Sequence, residues 1–113
     1  MHELSIAQSI VDIVIEQMRI HSLSKVESVM LRIGALRGIV VDSLNFSFDV
    51  TVRETPMEGA KLVVETVPLR GTCLNCHQEF IMDDWFGDCP LCNSLTVEIT
   101  SGKELEIVSI EGT

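Results

Sequence analysis

Four cysteines lie within twenty residues, as Cys73-Leu74-Asn75-Cys76 and Cys89-Pro90-Leu91-Cys92, with twelve residues between the pairs. Thiolates are soft ligands, and two C-x2-C turns at this separation suit one tetrahedral zinc ion held by four sulfurs. Pro90 stiffens the second turn, and Asn93 can take the left-handed backbone conformation such a knuckle needs. A closed four-thiolate site leaves no position for water or substrate, so the expected zinc is structural rather than catalytic. Two other readings use the same residues. One is a pair of redox dithiols. The other is a c-type haem attachment in Cys73-Leu74-Asn75-Cys76-His77, which requires export and leaves Cys89 and Cys92 without a role. His77 reads more simply as an exposed neighbour of the zinc site. In the intervening loop, Phe80, Trp85 and Phe86 could cover the site, while Asp83, Asp84 and Asp88 add negative charge.

The start of the chain, Met1-His2-Glu3, is the second place where chemistry is conceivable. A large second residue opposes removal of the initiator methionine, so Met1 is expected to stay. Its α-amine, the His2 amide and the His2 imidazole can close adjacent chelate rings around one small cation. The Glu3 amide or carboxylate could complete the plane. Nitrogen-rich square-planar sites suit Ni(II) or Cu(II). Taken alone this is a weak signal, and a solvated terminal histidine is the simpler reading of the same three residues. The pattern H-E-x-x-H fails, because Ile6 stands where the second histidine would be.

Charge and hydropathy narrow the partners. Eight Lys+Arg against seventeen Asp+Glu give a net charge of −9 over 113 residues. Four thiolates around one dication only add to it. Such a chain repels phosphate backbones and anionic membrane surfaces, so neither nucleic acid nor membrane insertion is expected. Mean hydropathy is +0.32, yet no uncharged apolar run approaches the ~18 residues of a membrane span. With no basic region leading into an apolar stretch at the start, the expected location is cytoplasmic.

These side chains need a scaffold. Leu4, Ala7, Val11, Val14 and Met18, widened by Ile10 and Ile15, predict an amphipathic helix over residues 4–20, capped at Ser5 or begun at Glu3. Val26–Ile33, Ala60–Val67 and Glu104–Ile110 read as strands. Gly34 and Gly38 bracket a turn without any phosphate-loop pattern. Leu44, Phe46, Phe48, Val50 and Val52 alternate as in a strand, but Asp42 and Ser43 are helix-capping residues and Pro56 is a stop signal. The zinc segment, residues 70–95, reads as an inserted module. Residues 1–69 plus 96–113 then form the main domain.

Taken together, Met1-His2-Glu3, Leu31-Arg32-Ile33-Gly34, Ser43-Leu44-Asn45-Phe46-Ser47-Phe48, the two cysteine pairs and the closing Leu105-Glu106-Ile107 resemble the HypA/HybF family of hydrogenase maturation factors, along the whole chain and in the same order. The resemblance implies an α+β fold, with two helices packed on a three-stranded mixed sheet and a zinc module inserted before the last strand. On that basis residues 42–54 become the second helix. It also implies a nickel metallochaperone, not an enzyme. Ni(II) would be its cargo, with His2 the essential side chain and Met1 and Glu3 contributing nearby atoms. Cys73, Cys76, Cys89 and Cys92 would hold structural zinc. The implied partners are a HypB-type GTPase and the large subunit of a [NiFe]-hydrogenase, with urease and a homodimer left open. Two features depart from the family pattern. Asn93 stands where some members carry a second histidine after the cysteines, and Asp42 stands nearest to a carboxylate that some place beside nickel.

Two further functions remain as competitors. A zinc module with no nickel role would use its acidic surface to bind a basic protein. An enzyme would need more ligands or nucleophiles than His2, His21 and His77 bring together.

Overall fold

A computed structural model describes residues 2–82 and 88–113. Phe80 and Asp88 of the proposed cover loop are among them, whereas Asp83, Asp84, Trp85 and Phe86 lie outside the described residues. The elements are α1 (Glu3–His21), β1 (Val26–Gly34), a single 3-10 turn (Ala35–Arg37), α2 (Val41–Thr51), β2 (Lys61–Val67), β3 (Arg70–Cys73), β4 (Glu79–Ile81), β5 (Val97–Ser101) and β6 (Leu105–Gly112). They form two three-stranded sheets, ordered β2-β1-β6 and β4-β3-β5. Two helices with strands, as expected, make the chain α+β. The second sheet is an addition to the single sheet implied by the sequence. Its strands are short and lie around the cysteines, where alternation is too brief to read. No helix of the described residues is long and apolar enough to cross a membrane.

Contacts divide the chain into two compact units, Met1–Arg32 with Ile39–Glu65 and Glu106–Thr113, and Ile33–Gly38 with Thr66–Leu105. In the first unit, α1 packs on α2. Ala7, Ile10, Val11, Val14 and Met18 are buried from α1, Leu44 and Phe48 from α2, and Val26, Val29 and Leu31 from β1. Leu4 does not join the predicted stripe, being 53% exposed. α1 begins at Glu3 with His2 as its cap residue, not at Ser5, and ends where Ser22 turns left-handed at φ 55°. The Leu23 N–H then returns to the Met18 carbonyl at 2.9 Å, which satisfies one of the last helical acceptors.

The alternation in the second segment has a helical explanation. Leu44, Phe48 and Val52 are spaced four apart and are buried, while Phe46, 70% exposed, and Val50, 40% exposed, form the opposite row. Every second residue of a short apolar run coincides with two i, i+4 rows, so the pattern alone cannot separate strand from helix. α2 stops at Thr51, earlier than the predicted residue 54, and turns lead on through Met57, which is fully buried.

On β1, Arg32 donates to Glu65 of β2 at 2.7 Å and to Glu106 of β6 at 3.1 Å, as the strand order requires. These are exposed pairs and contribute little stability. In the second unit, the 3-10 turn is clasped to the backbone at Gly102–Glu104. The Gly34 N–H donates to the Glu104 carbonyl at 2.7 Å and the Leu36 N–H to the Gly102 carbonyl at 2.8 Å. The approach is so close that a Cβ on Gly34 would collide with the Gly102 backbone. That is the reason for glycine at this position.

If the two rows of α2 are as described, Phe48→Ala will cost about 3–5 kcal/mol, as for buried aromatics in general. Phe46→Ala will stay within about 0.5 kcal/mol. Urea unfolding of both variants measures the difference. Comparable losses would mean that both faces are packed.

Candidate metal centre

Cys73 closes β3, and β5 begins shortly after Cys92, so the small sheet frames the sulfur cluster. β3 pairs antiparallel with β4 (Gly71 opposite Phe80, Thr72 opposite Glu79) and with β5 (Cys73 opposite Val97). A Cβ on Gly71 would lie 2.6 Å from Met82 Sδ and 2.7 Å from Val97 Cγ1, so a larger residue there would require both side chains to shift.

The two knuckles share one backbone design. In the first, the His77 N–H donates to the Cys73 carbonyl at 2.8 Å and the Cys73 N–H to the Gln78 carbonyl at 3.0 Å. In the second, the Asn93 N–H donates to the Cys89 carbonyl at 2.8 Å and the Cys89 N–H to the Ser94 carbonyl at 2.9 Å. Both loops close through a left-handed residue, His77 at φ 63° and Asn93 at φ 61°. Asn and His tolerate that region better than most residues do. The sequence pointed to this role for Asn93 and missed it for His77. The missed signal was the shared position directly after the second cysteine. His77 is exposed, in keeping with its reading as a neighbour of the site.

The four Sγ atoms lie within 4.8 Å of one another, and all four cysteines are free thiols. Contacts of 3.5 Å between Cys73 and Cys92, and of 3.6 Å between Cys76 and Cys89, run from one knuckle to the other. A tetrahedral zinc with 2.3 Å bonds needs sulfurs about 3.8 Å apart, so the cluster fits one shared ion. Backbone N–H groups of Asn75 and Cys76 point at Cys73 Sγ, and that of Leu91 points at Cys89 Sγ, each at 3.4 Å. Such donors stabilise thiolates.

Four thiols this close cannot all ionise on their own. The Cys76 and Asn75 N–H groups, with help from Cys92, hold Cys73 down at about 6 against the effect of burial. Cys76 receives a lowering hydrogen bond from the Gln78 N–H, but burial and the neighbouring thiols of Cys89, Cys73 and Cys92 outweigh it and push it up to about 12. A dication reverses that balance by supplying the missing positive charge.

At the start of the chain, His2 is exposed and precedes the first turn of α1. Glu3 Oε2 accepts the Val40 N–H at 3.2 Å, so this carboxylate is tied to the residue that caps α2. Sequence reasoning missed that contact. Asp42 is exposed in the first turn of α2. Among the described residues, the cysteine cluster is the set of three or more such side chains drawn close enough to share a metal; His2, Glu3 and Asp42 do not form one.

The chain is similar to known proteins. The family model described as hydrogenase/urease nickel incorporation, metallochaperone, hypA matches residues 1–112. The chain is 46% identical over 111 residues to hydrogenase maturation factor HypA of Prosthecochloris aestuarii, covering 97% of each. It is 37% identical over 112 residues to hydrogenase maturation factor HybF of Klebsiella pneumoniae, covering 99% of each. Among solved structures it is similar to the Ni metallochaperone HypA from Helicobacter pylori, with a TM-score of 0.68 at 25% identity, covering 99% of this chain and 97% of that one.

Zinc loading of the cluster must expel the Cys76 proton at any pH below about 12. Below about 6 the Cys73 proton must leave as well. Affinity therefore falls as the pH falls, with a slope that steepens by about one proton below pH 6. Competition titrations with a chromophoric chelator between pH 5 and pH 8 measure that slope. A pH-independent affinity would contradict thiolate ligation.

Proposed function

We propose how this chain, which belongs to the HypA family of hydrogenase and urease nickel-incorporation metallochaperones, holds and hands over its metal. It is a nickel metallochaperone of hydrogenase maturation, a maturation factor and not an enzyme. Nickel is its cargo, and the four-cysteine cluster fits structural zinc. The proposal adds where nickel is held: at the amino terminus, by the Met1 amine, the His2 amide nitrogen and the His2 imidazole. The Glu3 carboxylate takes the fourth position, opposite the His2 amide.

The observation that carries this reading is the position of His2. It is an exposed cap residue, and its carbonyl accepts the first helical bond, from the Ile6 N–H at 3.0 Å. The opening N–H groups of a helix have no partner within it. The His2 amide is therefore free to lose its proton to a metal without breaking the helical ladder. The Glu3 amide shares a chelate ring with the His2 amide and cannot also lie opposite it in the plane, whereas the Glu3 carboxylate, which accepts the Val40 N–H through Oε2, has a second oxygen to offer. The helix dipole disfavours a bare cation at this end but favours the negative charge on a deprotonated amide and on a carboxylate. Nitrogen donors in a plane select Ni(II) or Cu(II) over harder ions. Because His2 is exposed, its imidazole can leave the metal without disturbing any packed residue.

On this reading the closed thiolate cluster shapes its own module, residues 70–95, and the remaining residues, 1–69 with 96–113, carry the nickel site. The chain works in the cytoplasm with a HypB-type GTPase and delivers nickel to the large subunit precursor of a [NiFe]-hydrogenase.

Calorimetric titration with Ni(II) tests the site. His2→Ala will weaken nickel binding by more than the roughly 10–100-fold that loss of a ligand's outer-shell partner costs, and will leave zinc content unchanged. Equal nickel affinity in both proteins, or sulfur ligation of the added nickel in X-ray absorption spectra, would overturn the proposal.

A further inference from the structure

The knuckles share their backbone but not their side chains. Asn75 occupies the position in the first knuckle that Leu91 occupies in the second. Both donate a backbone N–H to the first sulfur of their own knuckle, Asn75 to Cys73 and Leu91 to Cys89, each at 3.4 Å. Asn75 makes a second contact. Its side-chain Nδ2 donates to Cys92 Sγ of the other knuckle at 3.6 Å. Leu91 has no donor to offer in return, and its side chain is 66% exposed.

The four sulfurs also differ in shelter. Cys73 and Cys89 are buried, Cys76 is half-buried and Cys92 is exposed. The ligand that water reaches most easily is thus the one that receives the Asn75 amide.

We propose that Asn75 is a positioning residue of the thiolate cluster, that its amide pins Cys92, and that Cys92 is the ligand through which zinc is lost. The inference rests on the reading that the four thiolates hold zinc. A thiolate leaves a metal when a proton, a chelator or an electrophile reaches its free lone pairs, and exposure decides which sulfur is reached first. An N–H donor draws charge from the sulfur, lowers its basicity and fixes its rotamer. Apart from the cysteines themselves, Asn75 is a side chain of one knuckle that reaches a sulfur of the other, so it also couples the two loops. Removing its donor frees the most accessible ligand, while the backbone contact to Cys73 is kept.

The test compares zinc-loaded full-length wild type, Asn75→Ala, Asn75→Asp and Leu91→Ala. Zinc release to a chromophoric chelator is followed at neutral pH, and brief iodoacetamide labelling is mapped by mass spectrometry. All four proteins are expected to carry one zinc per chain. Release will be about fivefold to tenfold faster in Asn75→Ala, the effect of one exposed hydrogen bond to a charged acceptor. It will be faster again in Asn75→Asp, where a carboxylate opposes the thiolate, and unchanged in Leu91→Ala. The first label in wild type will fall on Cys92, a result that needs no variant. Release within twofold of wild type in both Asn75 variants, or a first label on another cysteine, would overturn the proposal. Wild-type protein that retains no zinc would instead overturn the zinc reading itself.

Discussion

Convergence of four sulfurs on one point is the constraint on which the second unit depends. That unit, Ile33–Gly38 with Thr66–Leu105, is small, and among its described residues the buried apolar side chains are Ile33, Leu69 and Met82, beside Cys73 and Cys89. Units of this size rarely bury enough apolar surface to offset the conformational entropy they lose, and a metal or disulfides commonly make up the difference. In zinc-finger peptides, ion binding contributes about 10–16 kcal/mol of apparent free energy at neutral pH, all of it linked to folding. The backbone prepares for the ion. Each knuckle closes through a left-handed residue, and amide groups already point at Cys73 and Cys89.

The first unit needs no such help. Its helices and β1 supply an apolar core from Ala7 to Phe48, and no charged side chain is buried among the described residues. Stability there comes from packing, which leaves the amino terminus unburdened. A cargo site must release what it binds, and a site built around the exposed His2 can do so. A closed set of soft thiolates does the opposite, since each departing sulfur leaves an ion with unmet charge. On the proposed reading, the chain gives its two metals different lifetimes by giving them different ligand chemistry.

The acidic surface fits a protein that works on other proteins. A net charge of −9 opposes contact with phosphate backbones, and the cations are partly engaged: Arg19 with Glu16, Arg32 with Glu65 and Glu106, Arg70 with Glu79. Each pair is exposed and screened by salt, so the pairs set register and solubility more than they set stability.

How much of this was legible beforehand depended on how local each signal was. The cysteine spacing announced a single four-sulfur site, because ligand geometry imposes its separation on the chain directly. α1 was legible for the same reason, since a 3.6-residue period needs no distant partner, although the exposure of Leu4 was not. The segment around Phe48 was ambiguous, because two i, i+4 rows and one strand face produce the same alternation. The family resemblance pointed to a helix, and burial of Leu44, Phe48 and Val52 gives the physical reason. The small sheet, the tie from Glu3 to Val40 and the reach of Asn75 to Cys92 were settled by tertiary structure. Each joins residues that meet only after the chain has folded, and no local period or spacing records such a meeting.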